Sequence, residues 1–269
     1  MTAFAHHLTY DFKTGIRDRS KLLMYYLFPL VFFAIVGGLM AAVNPGFKEM
    51  MLPAMVLFAY MCATLLNLPS VLLSARETGV FRSYRINGVP STTIVSIPVI
   101  STAVHMAVIS VVISLAGGRL YGGVSPSSIP GFIAACALSY AAFAGLGVLI
   151  GVAAANTTGS TLISQLVYIP SIILGGLTVP LSALPAGLQR VALLFPASHC
   201  MKVFMGLSMP GGSGMPWGPF AVLVFSTLLS FVLSAVLFSW DSRATTSSPR
   251  SWAAFLAILP FGVAAIVGV

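Results

Sequence analysis

Charge is scarce in this sequence: 7% of its 269 residues are Asp, Glu, Lys or Arg, against about a quarter in a soluble domain. Five residues are acidic, and none falls inside a long apolar run. A general acid/base pair or a catalytic triad has almost no material, which sets an intramembrane enzyme aside. An ion-gradient-driven secondary transporter usually draws on intramembrane carboxylates or on broken helices in two matching repeats. Neither is visible here, so that reading stands as the alternative. Cys62, Cys136 and Cys200 form no CxxC pair and two of them lie inside apolar stretches, which argues against a disulfide framework or a thiolate metal site. His6-His7 and His199-Cys200 lack a ligand's spacing and acidic companions, and no metal is expected. A nucleotide-binding P-loop is missing as well, because Lys13-Thr14 has no glycine-rich turn ahead of it. The first 21 residues carry six charges and no apolar core, so no cleavable leader is expected and the N-terminus is expected on the cytoplasmic face.

What the chain has in abundance is apolar length. Hydrophobic residues make up 58% of it and the mean hydropathy is +1.01. The relevant unit is therefore the bilayer crossing, about 20 apolar residues for a hydrocarbon core of about 30 Å. Residues 1–21 place Phe4, Leu8, Phe12 and Ile16 on one helical stripe, as in a helix lying on a membrane surface. Six spans follow, over about 22–43, 51–73, 92–116, 131–155, 161–179 and 218–240. Ala141, Gly145, Gly147 and Gly151 in the fourth would let a neighbouring backbone approach closely. Between the fifth and sixth, two apolar helical pieces too short to cross are separated by Phe195-Pro196 and read as a re-entrant hairpin near 181–205. Residues 241–269 form a polar linker and a further apolar stretch, whose length allows a seventh span or an interfacial or re-entrant tail. The predicted fold is an all-α polytopic membrane helix bundle.

Basic residues orient it. The segments 1–21, 74–91, 156–160 and 241–250 hold nine of the 13 Lys and Arg, which the positive-inside tendency assigns to the cytoplasm of a plasma (inner) membrane protein. The scatter of these charges among apolar runs reads as topology, and no nucleic-acid partner is expected. One insert, SARETGVFRSYRINGVPS at 74–91, carries four of the chain's 18 charged residues and reads either as a passive loop with topogenic, solvated charges or as a surface that a partner grips. Val80, Phe81 and Tyr84 share one face, Arg76, Glu77, Arg82 and Arg85 crowd the others, and Gly88 and Pro90 stop the helix.

The run Arg76-Glu77-x-Gly79, then Arg82, then Pro90-Ser91 opening a new span, resembles the cytoplasmic coupling loop of ABC-2-type permeases, the membrane subunits of one class of ATP-driven exporters. The likeness extends over residues 1–240 in the order of parts: surface helix, five spans, broken hairpin, sixth span. The resemblance implies a coupling helix near 75–87 and a dimeric pore made with a second copy or a sibling chain. It also implies a separate cytoplasmic ATPase, carrying the ATP and Mg that this chain cannot bind, docked on Arg76, Glu77, Gly79, Phe81, Arg82 and Tyr84. The second and fifth spans line the cavity in that family, which points to Met61, Leu65, Asn67, Gln165, Tyr168 and Ile169 as pathway residues, with Met55 in the same apolar wall. Pro69 and Pro170 are placed to bend those spans. A cavity of this composition suits a drug, an antibiotic or a lipid. Interhelical hydrogen bonding competes with a pathway role for the polar members, as it does for His105 in the third span.

Overall fold

The computed structural model describes residues 3–240 and 249–268, so the polar linker expected over 241–248 lies outside the described residues. The described residues are helical, without strands. Helix α1 (Ala3–Arg17) is amphipathic. Asp18 closes it and caps the next helix, accepting bonds from the amides of Ser20 and Lys21 at 2.9 and 3.3 Å. Six helices are long and apolar enough to cross a membrane: α2 (Arg19–Val43), α3 (Phe47–Glu77), α5 (Ser91–Tyr121), α6 (Ile129–Ala153), α7 (Thr157–Leu174) and α10 (Trp217–Leu237). Helix α4 (Val80–Ile86) is the short insert between α3 and α5. The broken hairpin is α8 (Ala186–Ala192) and α9 (Pro196–Ser208), bent by 96° at the Phe195-Pro196 break.

Local chemistry sets the boundaries. Ser128 accepts a bond from the Gly131 amide at the start of α6, and Asn156 does the same from Gly159 at the start of α7. The fifth span was expected to reach Val179 but stops at Leu174, because Gly175-Gly176 follows and Gly176 turns the chain with φ +84°. Of the coupling helix expected near 75–87, residues 75–77 continue the long helix α3 and the short helix α4 begins only at Val80, with Gly79, at φ +79°, making the turn between them. A π-helical turn at Cys62–Asn67 precedes Pro69, whose missing amide hydrogen leaves the preceding turn free to widen. Helix α7 stays α-helical through Pro170.

Helix α3 is the central rod, 78% buried over its apolar window, whereas α2 and α7 are 22% buried. It is held most tightly by α6. An added Cβ at Gly147 would run into the carbonyl of Thr64, and one at Gly151 would lie 2.9 Å from the Pro69 Cα, so the two backbones touch with no side chain between them. At Gly145 the approach of α6 to α10 is looser, with an added Cβ lying 3.2 Å from the Ser230 Cβ. Aromatic contacts place the other neighbours. Phe58 of α3 stacks on Phe32 of α2 at 3.6 Å and meets Tyr168 of α7 at 6.2 Å. Tyr60, about 200° further round the helix, faces Ser110 of α5 and Tyr140 of α6.

The tail is helical too. Residues Pro249–Ile258 form a 3-10 helix and Leu259–Val267 form α11. Trp252 lines one groove with Asn156 and Gly159 of the α6–α7 turn, while α11 reaches the hairpin, with the Phe261 and His199 ring centroids 5.6 Å apart. A 3-10 helix rises about 2.0 Å per residue, so the two pieces together cover about 33 Å.

Candidate functional site

The 74–91 insert is built into the bundle at both ends. Arg76, on the last turn of α3, is buried and donates from Nη1 to the Val152 carbonyl at 2.9 Å and from Nη2 to the Ala154 carbonyl. These oxygens end α6, where carbonyls lack intrahelical partners and the helix dipole favours a cation. Its neighbour Glu77 is exposed and accepts a bond at 3.3 Å from Thr157, the first residue of α7, where the dipole favours an anion. Two adjacent residues of opposite charge thus hold the two ends of one turn.

Helix α4 then lies against the bundle through its apolar stripe. Phe81 is buried against Phe238, with ring centroids 5.4 Å apart, and Arg85 sits over the Trp240 ring at 6.0 Å. The half-buried Tyr84 hydroxyl lies 3.0 Å from Nε2 of His7, which ties α4 to the amphipathic helix α1. Burial, helped by the charge of Asp11, raises the Tyr84 phenol above its ordinary value and keeps it a neutral hydroxyl. Gly79 supplies the left-handed turn, and its missing Cβ faces open space. Of the six residues expected to form a docking surface, Arg76 and Phe81 therefore face inward, while Glu77 and Arg82 lie on the exposed side. Sequence reasoning passed over Ile86, which is 86% exposed at the tip of α4. Its signal was an isoleucine that falls off the Val80, Phe81, Tyr84 stripe just before Gly88.

The pathway candidates separate in a similar way. Met61 and Leu65 are fully buried between helices. Tyr168 is buried with its hydroxyl 3.4 Å from Sγ of Cys62. Asn67 donates to the Tyr25 hydroxyl at 2.8 Å, and that hydroxyl lies 2.9 Å from Thr102, so Asn67 joins α3 to α2 and α5. His105 belongs to the same junction, stacked on Phe12 of α1 at 4.7 Å and bonded to the Tyr26 hydroxyl at 2.7 Å. Gln165 is half-buried and Ile169 exposed on α7. Ile169 shares an uncovered stripe with Leu162, Leu166 and Ile173, and α2 presents a second with Leu27, Val31, Ile35 and Leu39. Both stripes flank the Phe58 side of α3. Among the described residues no three His, Cys, Asp or Glu converge to hold a metal ion.

A family model for ABC-2 type transporters matches residues 2–209. The chain belongs to the ABC-2 type transporter family. No curated protein matches it significantly. The matched region takes in α1, the insert, the first five long helices and the hairpin, so the 74–91 segment belongs to the membrane domain of an ABC transporter permease. Such domains are transport subunits.

Proposed function

We propose that this permease is one half of an ATP-driven exporter in the plasma membrane, with the α1 side in the cytoplasm. A separate ATP-binding cassette subunit docks on α4 and Glu77 and supplies both nucleotide and Mg. Two permease chains, identical or sibling, face each other across the α2 and α7 stripes, and the cargo is hydrophobic or amphipathic: a drug, an antibiotic or a lipid. The observation that carries this reading is the double attachment of the insert. Arg76 and Glu77 fasten it to the α6–α7 turn, while Ile86 stands bare at its tip. A push on the tip has a rigid connection to the bundle, and an exposed isoleucine beside charged residues is the kind of anchor a protein partner buries.

The test is reconstitution in vesicles with the ATPase encoded in the neighbouring reading frame. Export that requires ATP, survives collapse of ion gradients and is lost in Ile86→Asp supports the reading. Export driven by a proton gradient without ATP overturns it in favour of a secondary transporter.

A further inference from the structure

Consecutive helices α5 and α6 do not close on each other. Between them lies a groove of about 590 Å³ that opens sideways, toward the surroundings of the bundle. Its walls are Ala107, Val111 and Leu115 on one helix and Ile133 and Ala137 on the other, all exposed. Tyr60 of α3 forms the back, and its hydroxyl lies 2.8 Å from that of Ser110. Ser110 and Ser114 donate to the carbonyls of Met106 and Ser110 on their own helix, at 2.7 and 2.6 Å. The hydroxyls of the wall are thus bonded inside the chain, and the groove presents hydrocarbon. One end is shut by Tyr140, which donates to the Val99 carbonyl at 2.6 Å. The other end leads to Pro126 and Ile129, where α6 begins.

We propose that this groove binds one phospholipid from the surrounding bilayer, with an acyl chain between α5 and α6 and the phosphate against Arg119. Three features select that occupant. From Ala103 to Leu115 the groove follows α5 for about 18 Å, close to the reach of one leaflet's chain, about 15 Å. Val111, Leu115 and Arg119 follow one another at four-residue spacing, so the stripe that lines the groove ends on a cation at headgroup level. Arg119 is exposed, and no carboxylate pairs with it among the described residues. The site lies on the Tyr60 side of α3, about 200° from the Phe58 side, and needs only that α5 and α6 cross the membrane. It therefore stands apart from the export reading.

The experiment is native mass spectrometry of the purified full chain in detergent with two added ligands of identical chains, dioleoylphosphatidylglycerol and dioleoylglycerol. The wild type should retain one phosphatidylglycerol with about fivefold preference, the worth of one cation beside a lipid phosphate. Arg119→Gln should erase the preference. Ala107→Phe, which fills the groove from an exposed position, should lose both ligands, whereas Val232→Phe, equally lipid-facing on α10, should keep them. Wild-type retention by Ala107→Phe, or a headgroup preference that survives Arg119→Gln, overturns the proposal. So does a shift of Ala107→Phe from dimer to monomer with its lipid count unchanged, since a second copy would then be the occupant.

Discussion

The Arg76 guanidinium is bonded to the main-chain oxygen of Val152, 76 residues further along the chain, at 2.9 Å. An arginine in a polar insert is ordinarily solvated, yet this one is buried and ends the helix it touches. Removing it strands two carbonyls at the end of α6. Arg76→Ala should cost about 2–3 kcal/mol, the range for bonds to a charged group, read as a lower unfolding midpoint in detergent. Arg76→Lys should recover only part, because a point ammonium cannot reproduce the guanidinium fork across both oxygens. Equal midpoints for wild type and Arg76→Ala would contradict this role.

Glu77 differs from its neighbour in kind. It is exposed and rests on the first residue of α7. Glu77→Lys places a cation at the wrong end of a helix dipole and should cost no more than about 1 kcal/mol of stability. If the insert transmits work from an ATPase, the same variant should uncouple ATP hydrolysis from transport while keeping its folded yield. Unchanged coupling would remove Glu77 from the transmission path.

Gly147 and Gly187 make a matched pair. A methyl group at Gly147 collides with the Thr64 carbonyl, whereas one at Gly187 meets nothing within 4 Å. Gly147→Ala should destabilise by about 3 kcal/mol, the upper range for forcing volume into a packed contact. Gly187→Ala should be neutral in the same thermal assay, and equal losses in the two would show that backbone contact is not what holds α3 to α6.

The tail makes a topological prediction. Its 3-10 and α-helical pieces run from the α6–α7 turn to the hairpin and cover about 33 Å, enough to cross a hydrocarbon core of about 30 Å. In a Cys136→Ser background, Val267→Cys should react with a membrane-impermeant maleimide from the side opposite to Ile86→Cys. Labelling of both from one side would mean that the tail turns back.

The sequence announced most of the architecture, because a bilayer leaves few options for long apolar runs: six helices long enough to cross, the amphipathic helix α1 and the hairpin break at Phe195-Pro196 all lie where apolar length, periodicity and proline put them. The close approach at Gly147 and Gly151 was legible for a related reason, since small residues four apart let two membrane helices meet backbone to backbone. The site was less legible. Nothing local distinguishes the buried Arg76 from the exposed Arg82; the difference comes from α6 ending beside α3. Apolar residues occupy nearly every side of α3 from Met50 to Leu65, so no periodicity shows whether Met61 and Leu65 face neighbouring helices or a pathway. In the tail, a uniformly apolar run carries no sign that its first half is wound as a 3-10 helix, so its length alone left a seventh span and an interfacial or re-entrant tail equally open.

At Gly147 and Gly151 the central rod and α6 meet backbone to backbone, with Thr64 and Pro69 as the opposing surface. Side chains between helices act as cushions, since rotamers absorb small shifts; bare main chain has none to give. The pair therefore forms a stiff lever, and Arg76 grips it at the end nearest the insert. Whatever displaces that end moves the far end as well, with no slack lost between them.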